Sequence, residues 1–129
     1  MKRAVSRKAA RRQALYLLYQ WDLTGQELAS LYEGEPDDFA RGLAQAVSER
    51  AGALDARISD ASPDWPADRL GTLERNILRI GVYELEEETV PREVAINEAV
   101  VLAKRYASED AARLVNGVLA RIAREQEAA

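Results

Sequence analysis

The stretch from Pro91 to Tyr106, PREVAINEAVVLAKRY, restricts the fold most, because its spacing suits a helix that is apolar around most of its girth. At about 100° per residue, Ala95, Ile96, Ala99, Val100, Leu102, Ala103 and Tyr106 share one broad face. Val94 and Val101 stand on the other side, among Asn97, Glu98, Lys104 and Arg105. A surface helix needs one apolar face, so this pattern predicts a central helix covered on two sides. Pro91 suits the first turn, where a missing N–H costs nothing, and Thr89 just before it is placed to cap.

The same helical period runs through the other long segments, without strand alternation or internal repeat. Ser6 to about Leu23 reads as a first helix closed by Thr24-Gly25, with Ala10, Ala14, Leu17, Leu18 and Trp21 inward. A short helix over Gln26–Glu33 ends at Gly34-Glu35-Pro36. A long one follows from Asp37 to about Ser59, with Asp37 or Asp38 as its cap, on a stripe of Phe39, Leu43, Ala46, Val47, Ala51, Leu54 and Ile58. Ser62-Pro63-Asp64-Trp65-Pro66 breaks it, and the tryptophan predicts a packed corner rather than a linker.

Asp68–Gly71 reads as a helical turn leading into a helix over Thr72–Glu86, with Leu73, Ile77, Leu78, Ile80, Val82 and Leu85 inward. Gly81 on that side would let a neighbouring helix come close. Glu84, Glu86, Glu87 and Glu88 oppose the dipole at its C-terminus, which predicts a solvated, frayed end. Ser108 caps the last helix, whose inner face is Ala111, Leu114, Val115, Val118, Leu119 and Ile122. Gly117 opposite costs about 1 kcal/mol in a helix interior, so a packing or contact reason is expected for it. Fraying is expected at residues 1–5 and after Arg124.

Composition excludes much chemistry. The 129 residues fit one domain, 1–129, and contain no cysteine and no histidine. Disulfides, thiolate metal sites and His-based nucleophilic catalysis are therefore ruled out, and no glycine-rich phosphate loop occurs. No spaced carboxylate pair stands out either, so the expectation is a protein that is not an enzyme and uses no cofactor and no metal. There is no apolar run of about 18 residues and no secretory pattern at the N-terminus, which predicts a cytoplasmic protein without a membrane span.

Charge is unevenly spread. The formal net charge is −4, yet residues 1–21 hold Lys2, Arg3, Arg7, Lys8, Arg11 and Arg12 and no acid, leaving −10 on the remainder. A basic arm on an acidic body points to a polyanion at one end and a basic protein elsewhere. On the first helix Lys8, Arg12, Tyr16 and Tyr19 fall within an arc of about 80°. Cations neutralise phosphates and aromatic rings stack on unpaired bases, the combination single-stranded RNA calls for. The same pattern also fits a solvated basic helix start whose tyrosines pack at the core edge. Cations at a helix N-terminus oppose the macrodipole, which favours a functional reason. Residues alone leave both readings open.

Four separated blocks then agree with one family. Pro91-x-x-Val94-Ala95-Ile96-Asn97-Glu98-Ala99-Val100, with Leu102-Ala103-Lys104, and Leu114-Val115-Asn116-Gly117-Val118-Leu119 resemble the signature of the NusB family of bacterial transcription antitermination factors. Ile77-Leu78-Arg79-Ile80-Gly81-Val82-Tyr83-Glu84-Leu85 and the arginine-rich opening into Ala14-Leu15-Tyr16 are similar too.

The resemblance implies an all-α fold of about seven helices in two small bundles set across each other. It implies pairing with NusE, a small-subunit ribosomal protein, and joint binding of the single-stranded boxA element of nascent RNA. Other antitermination factors and RNA polymerase would be engaged indirectly, and homodimers occur in such families. Residue by residue, it implies RNA contacts at Arg7, Lys8, Arg11, Arg12 and Tyr19, with Asp110 and Arg113 on the last helix; Lys2, Arg3 and Tyr16 join the candidate RNA-binding residues from the charge and wheel pattern. Glu74 matches an acid on the NusE-facing side.

Two alternatives accompany this reading. One is a helical adaptor or homodimer that binds no RNA. The other is the RNA-binding domain related to ribosomal RNA cytosine methyltransferases, for whose cofactor domain a chain of this length has no room.

Overall fold

The computed structural model describes residues 5–129, which form six α-helices and two short 3-10 turns, with no strand among the described residues. That is one helix fewer than expected. The chain divides into two compact units, Met1–Arg50 and Ala51–Ala129. The first holds α1 (Arg7–Thr24) and α2 (Asp38–Glu49), joined by a segment whose short helix is only a 3-10 turn at Leu28–Leu31. The second holds α3 (Ala51–Ala61), a 3-10 turn at Ala67–Arg69, α4 (Thr72–Glu87), α5 (Arg92–Tyr106) and α6 (Glu109–Ala128).

The single long helix expected from Asp37 is two. Its apolar stripe continues through the break, so periodicity could not reveal it. At Arg50 the backbone leaves helical geometry (φ −107°, ψ 11°), and its N–H is shared between the carbonyls of Ala46 and Val47, both at 3.2 Å. A shared donor of this kind marks a helix terminus.

Two of the expected caps are present. The Asp37 carboxylate accepts from the N–H groups of Phe39 and Ala40 at 3.0 and 3.1 Å, and Ser108 Oγ accepts from Ala111 N–H at 3.0 Å. Thr89 does not cap α5. The helix starts one residue later than the pattern suggests, with Pro91 at the cap position and no side-chain hydrogen bond there.

In the second unit the central helix is α4, not α5. Every residue from Asn76 to Val82 is buried, as are Glu84 and Leu85, and α4 packs against α3, α5 and α6. For α5, both α4 and α6 lie on the side of Ala95, Ala99, Leu102 and Ala103. Val94, Val101 and Tyr106, expected to be covered, are therefore exposed. Trp65 is also 52% exposed, so the corner before α4 is not built on it. Ala67 and Leu70 are the buried residues there.

Gly81 sets the approach of α4 to α6. A Cβ there would lie 2.6 Å from Leu119 Cδ1, and Leu119 is itself fully buried. Gly81→Ala is expected to lower stability by about 1 kcal/mol net, since overpacking of about 1–3 kcal/mol exceeds the helix preference of alanine. Thermal unfolding checks this, and an unchanged or higher melting temperature would mean that Leu119 yields freely.

The acidic run around Leu85 is not frayed as a whole. Glu84 is buried (2% exposed), and Glu88 closes α4 in left-handed geometry at φ 53°, donating its N–H to Glu84 O at 3.1 Å. The last helix, α6, runs to Ala128. Gln126 Nε2 donates to Leu85 O at 3.1 Å, Arg57 meets Glu125 at 2.7 Å, and Arg92 meets Glu127 at 3.2 Å. The hydrogen bond from Arg57 is the main reason that the Glu125 carboxyl titrates below its ordinary range. A lowered carboxylate pKa stabilises the fold above the ordinary range, and that contribution is lost as pH falls through the lowered value.

Candidate nucleic-acid interface

The first unit presents the basic helix. Ser6 caps α1 from extended backbone, its Oγ accepting from Ala9 N–H at 3.1 Å, and there is no acid in the first turn. Ala10, Ala14, Leu15, Leu17 and Leu18 are buried, while Trp21 is only half-buried. At the far end Gly25 takes left-handed geometry (φ 73°) and its N–H reaches Trp21 O, which stops the helix.

The cations of α1 divide by the direction they face. Arg7 lies with its guanidinium 4.0 Å from the centroid of the Phe39 ring, and Arg11 approaches the same ring at 5.9 Å. Arg11 is 3% exposed. Phe39 belongs to α2, so these two arginines bind the helices of the unit together as cation–π partners. Lys8 and Arg12 are exposed, as Arg7 also is despite its ring contact, and Arg12 forms no hydrogen bond or ion pair among the described residues. Tyr16 is 59% exposed and Tyr19 half-buried. Lys2 and Arg3 lie outside the described residues.

A further residue joins this arc. Leu23, seven positions after Tyr16 and four after Tyr19, is exposed at the last turn of α1. The helical wheel already placed it there, but an apolar residue at a helix end reads as core until its exposure is known. The outward face of α1 is thus cationic at its start and aromatic or aliphatic at its end.

The second unit carries the other proposed contacts. Asp110 and Arg113 are exposed in the opening turns of α6 and pair with each other. Farther along the same helix, Gly117 has nothing within 4 Å of where a Cβ would stand, so no packing among the described residues accounts for it. Glu74 is half-buried at the third position of α4. Its carboxylate lies back over Gly71, the cap residue, in space that a side chain at Gly71 would need. Gly71 offers no capping side chain, and Glu74 brings negative charge to the positive end of α4 instead.

Among the described residues no cluster of three His, Cys, Asp or Glu side chains is placed to hold a metal ion. No helix there is long and apolar enough to cross a membrane.

The NusB family model matches residues 8–124, nearly the whole chain. The chain belongs to the NusB family. A transcription antitermination protein NusB from Rubrobacter xylanophilus is 42% identical over 122 residues, which cover 89% of this chain and 88% of that one. Among solved structures, NusB of T. maritima superposes with a TM-score of 0.84 at 32% identity, covering 95% of this chain and 94% of that one. A crystal structure of the antitermination factors NusB and NusE in complex with dsRNA gives a TM-score of 0.79 at 32% identity, covering 92% and 96%. The NusB likeness thus runs the length of the chain rather than resting on the α5 signature alone.

Proposed function

We propose that this chain is a cytoplasmic transcription antitermination factor that works as a pair with NusE. The pair binds the single-stranded boxA element of nascent RNA and seeds an assembly that reaches RNA polymerase through other factors, in support of ribosomal RNA synthesis. The observation that carries the reading is the outward arc of α1. Lys8 and Arg12 meet phosphates, while Tyr16 and Tyr19 offer rings to unstacked bases. The complex of related NusB and NusE with RNA supports the partnership. No bond is made or broken; the mechanism is recognition and assembly.

The test is titration of a short boxA-like RNA with the chain alone and with NusE. Weak binding alone and tighter binding with NusE are expected. A fully paired RNA of the same sequence serves as the control, since the related complex holds dsRNA. Equal affinity for that duplex would replace the single-stranded reading. No binding in either arm would leave a helical adaptor.

Glu74 is proposed to meet a cation on NusE, toward which the acidic body of the chain steers a basic partner. Glu74→Gln keeps size while removing charge. The expected outcome is a little-changed melting temperature with weaker NusE binding, and weaker RNA binding by the pair. Loss of stability with unaltered NusE affinity would leave Glu74 as a helix-start residue only.

A further inference from the structure

The C-terminal turn of α5 departs from the charge pattern of the unit that contains it. Residues 51–129 hold ten basic and fifteen acidic side chains, a net −5. In this acidic setting Arg57, Arg79, Arg92, Arg113 and Arg121 each face a carboxylate. Lys104 and Arg105 face none among the described residues, and both are exposed. Arg69 and Arg124 are unmatched as well, but neither adjoins another cation in the chain.

Tyr106 follows directly and is 40% exposed, with the Arg105 guanidinium 5.5 Å from the centroid of its ring. Its position at the edge of the apolar face of α5 suits it for burial, and the fold leaves it uncovered. Two cations at a helix C-terminus are favoured by the dipole alone. That accounts for their sign, but not for an uncovered aromatic ring beside them. Only Ala107 and Ser108 separate this turn from α6, whose opening turns carry Asp110 and Arg113.

We infer that Lys104, Arg105 and Tyr106 form a second RNA contact surface, on the unit that does not contain α1. Lys104 and Arg105 neutralise phosphates, and the Tyr106 ring stacks on an unpaired base beside the Arg105 guanidinium. The occupant is single-stranded nucleic acid rather than protein because unmatched cations and an open ring occur together, as Arg12 and Tyr16 do on α1. This inference rests on the RNA reading above, and its test separates the two.

The experiment uses the full chain with NusE and a short boxA-like single-stranded RNA, titrated over a range of salt. Lys104→Gln with Arg105→Gln removes both charges and keeps good helix formers. Two lost phosphate contacts should make the slope of log K against log salt shallower by about 1.4. Tyr106→Ala should weaken binding about fivefold or more, and Tyr106→Phe, which keeps the ring, should restore most of it. Lys8→Glu with Arg12→Glu is run in parallel.

If the α5 variants bind RNA like the parent while the α1 variant loses it, the second surface is overturned and the RNA reading stands. If all variants bind like the parent, the second surface is overturned and the α1 assignment falls with it. Loss of NusE affinity with unchanged direct RNA binding would also overturn the inference, by assigning the turn to a protein. Should Tyr106→Ala fail to fold, the change in salt slope of the glutamine pair decides alone.

Discussion

Asp55→Ala is expected to lower the unfolding free energy by about 3–5 kcal/mol, because it strands a buried guanidinium. Arg79 on α4 is 5% exposed and donates through Nε and Nη2 to the two carboxylate oxygens of Asp55 on α3, each at 2.7 Å. Its remaining nitrogen, Nη1, donates to Asn76 Oδ1 at 3.0 Å, and Asn76 Nδ2 donates to Thr72 O at 2.8 Å. The planar fork is matched on both sides, which a lysine could not reproduce. Removing the acid leaves the charge in place without the Asp55 carboxylate. Arg79→Met, which removes the charge itself and keeps an apolar stem, should be tolerated far better. Denaturant unfolding of the two variants checks the order. Equal costs, or a larger cost for Arg79→Met, would mean that the arginine acts through packing rather than as a paired ion.

That network shows where the sequence could and could not be read. Ile77, Leu78, Ile80, Val82 and Leu85 were legible as core because their spacing is helical, and all are buried. Arg79 lies in the same run, but nothing in spacing says that a charged residue turns inward. Its partner stands 24 residues upstream, on another helix. The same gap explains Arg11. A basic arm reads as one solvated group, whereas Phe39 takes Arg7 and Arg11 and leaves Lys8 and Arg12 outward.

Placement of elements was harder to read than their existence. The pattern of α5 promised cover on two sides, because Val94 and Val101 are apolar, and period alone cannot say whether a partner is present. The caps were legible where a side chain makes them, as at Asp37 and Ser108. They were not legible where backbone does, as at Arg50, whose shared hydrogen bond splits one predicted helix into two. Of the candidate interface, the arc of Lys8, Arg12, Tyr16 and Tyr19 followed from the helical wheel, and exposure added Leu23 to it. The turn at Lys104–Tyr106 did not follow, because Tyr106 lies on the face that periodicity assigns to the core.

The outward arc of α1 is the central claim, and one variant tests it most directly. Lys8→Glu with Arg12→Glu reverses two exposed cations and leaves Arg7 and Arg11 against Phe39. With NusE present, parent binding to a short boxA-like RNA should show a slope of log K against log salt of about −3, the value for roughly four phosphate contacts on a single strand. The double variant should lose most of its affinity and show a slope shallower by at least about 1.4, while its far-UV circular dichroism remains that of the parent. Unchanged affinity and an unchanged slope in a folded variant would contradict the account, and would remove α1 from the RNA-binding surface.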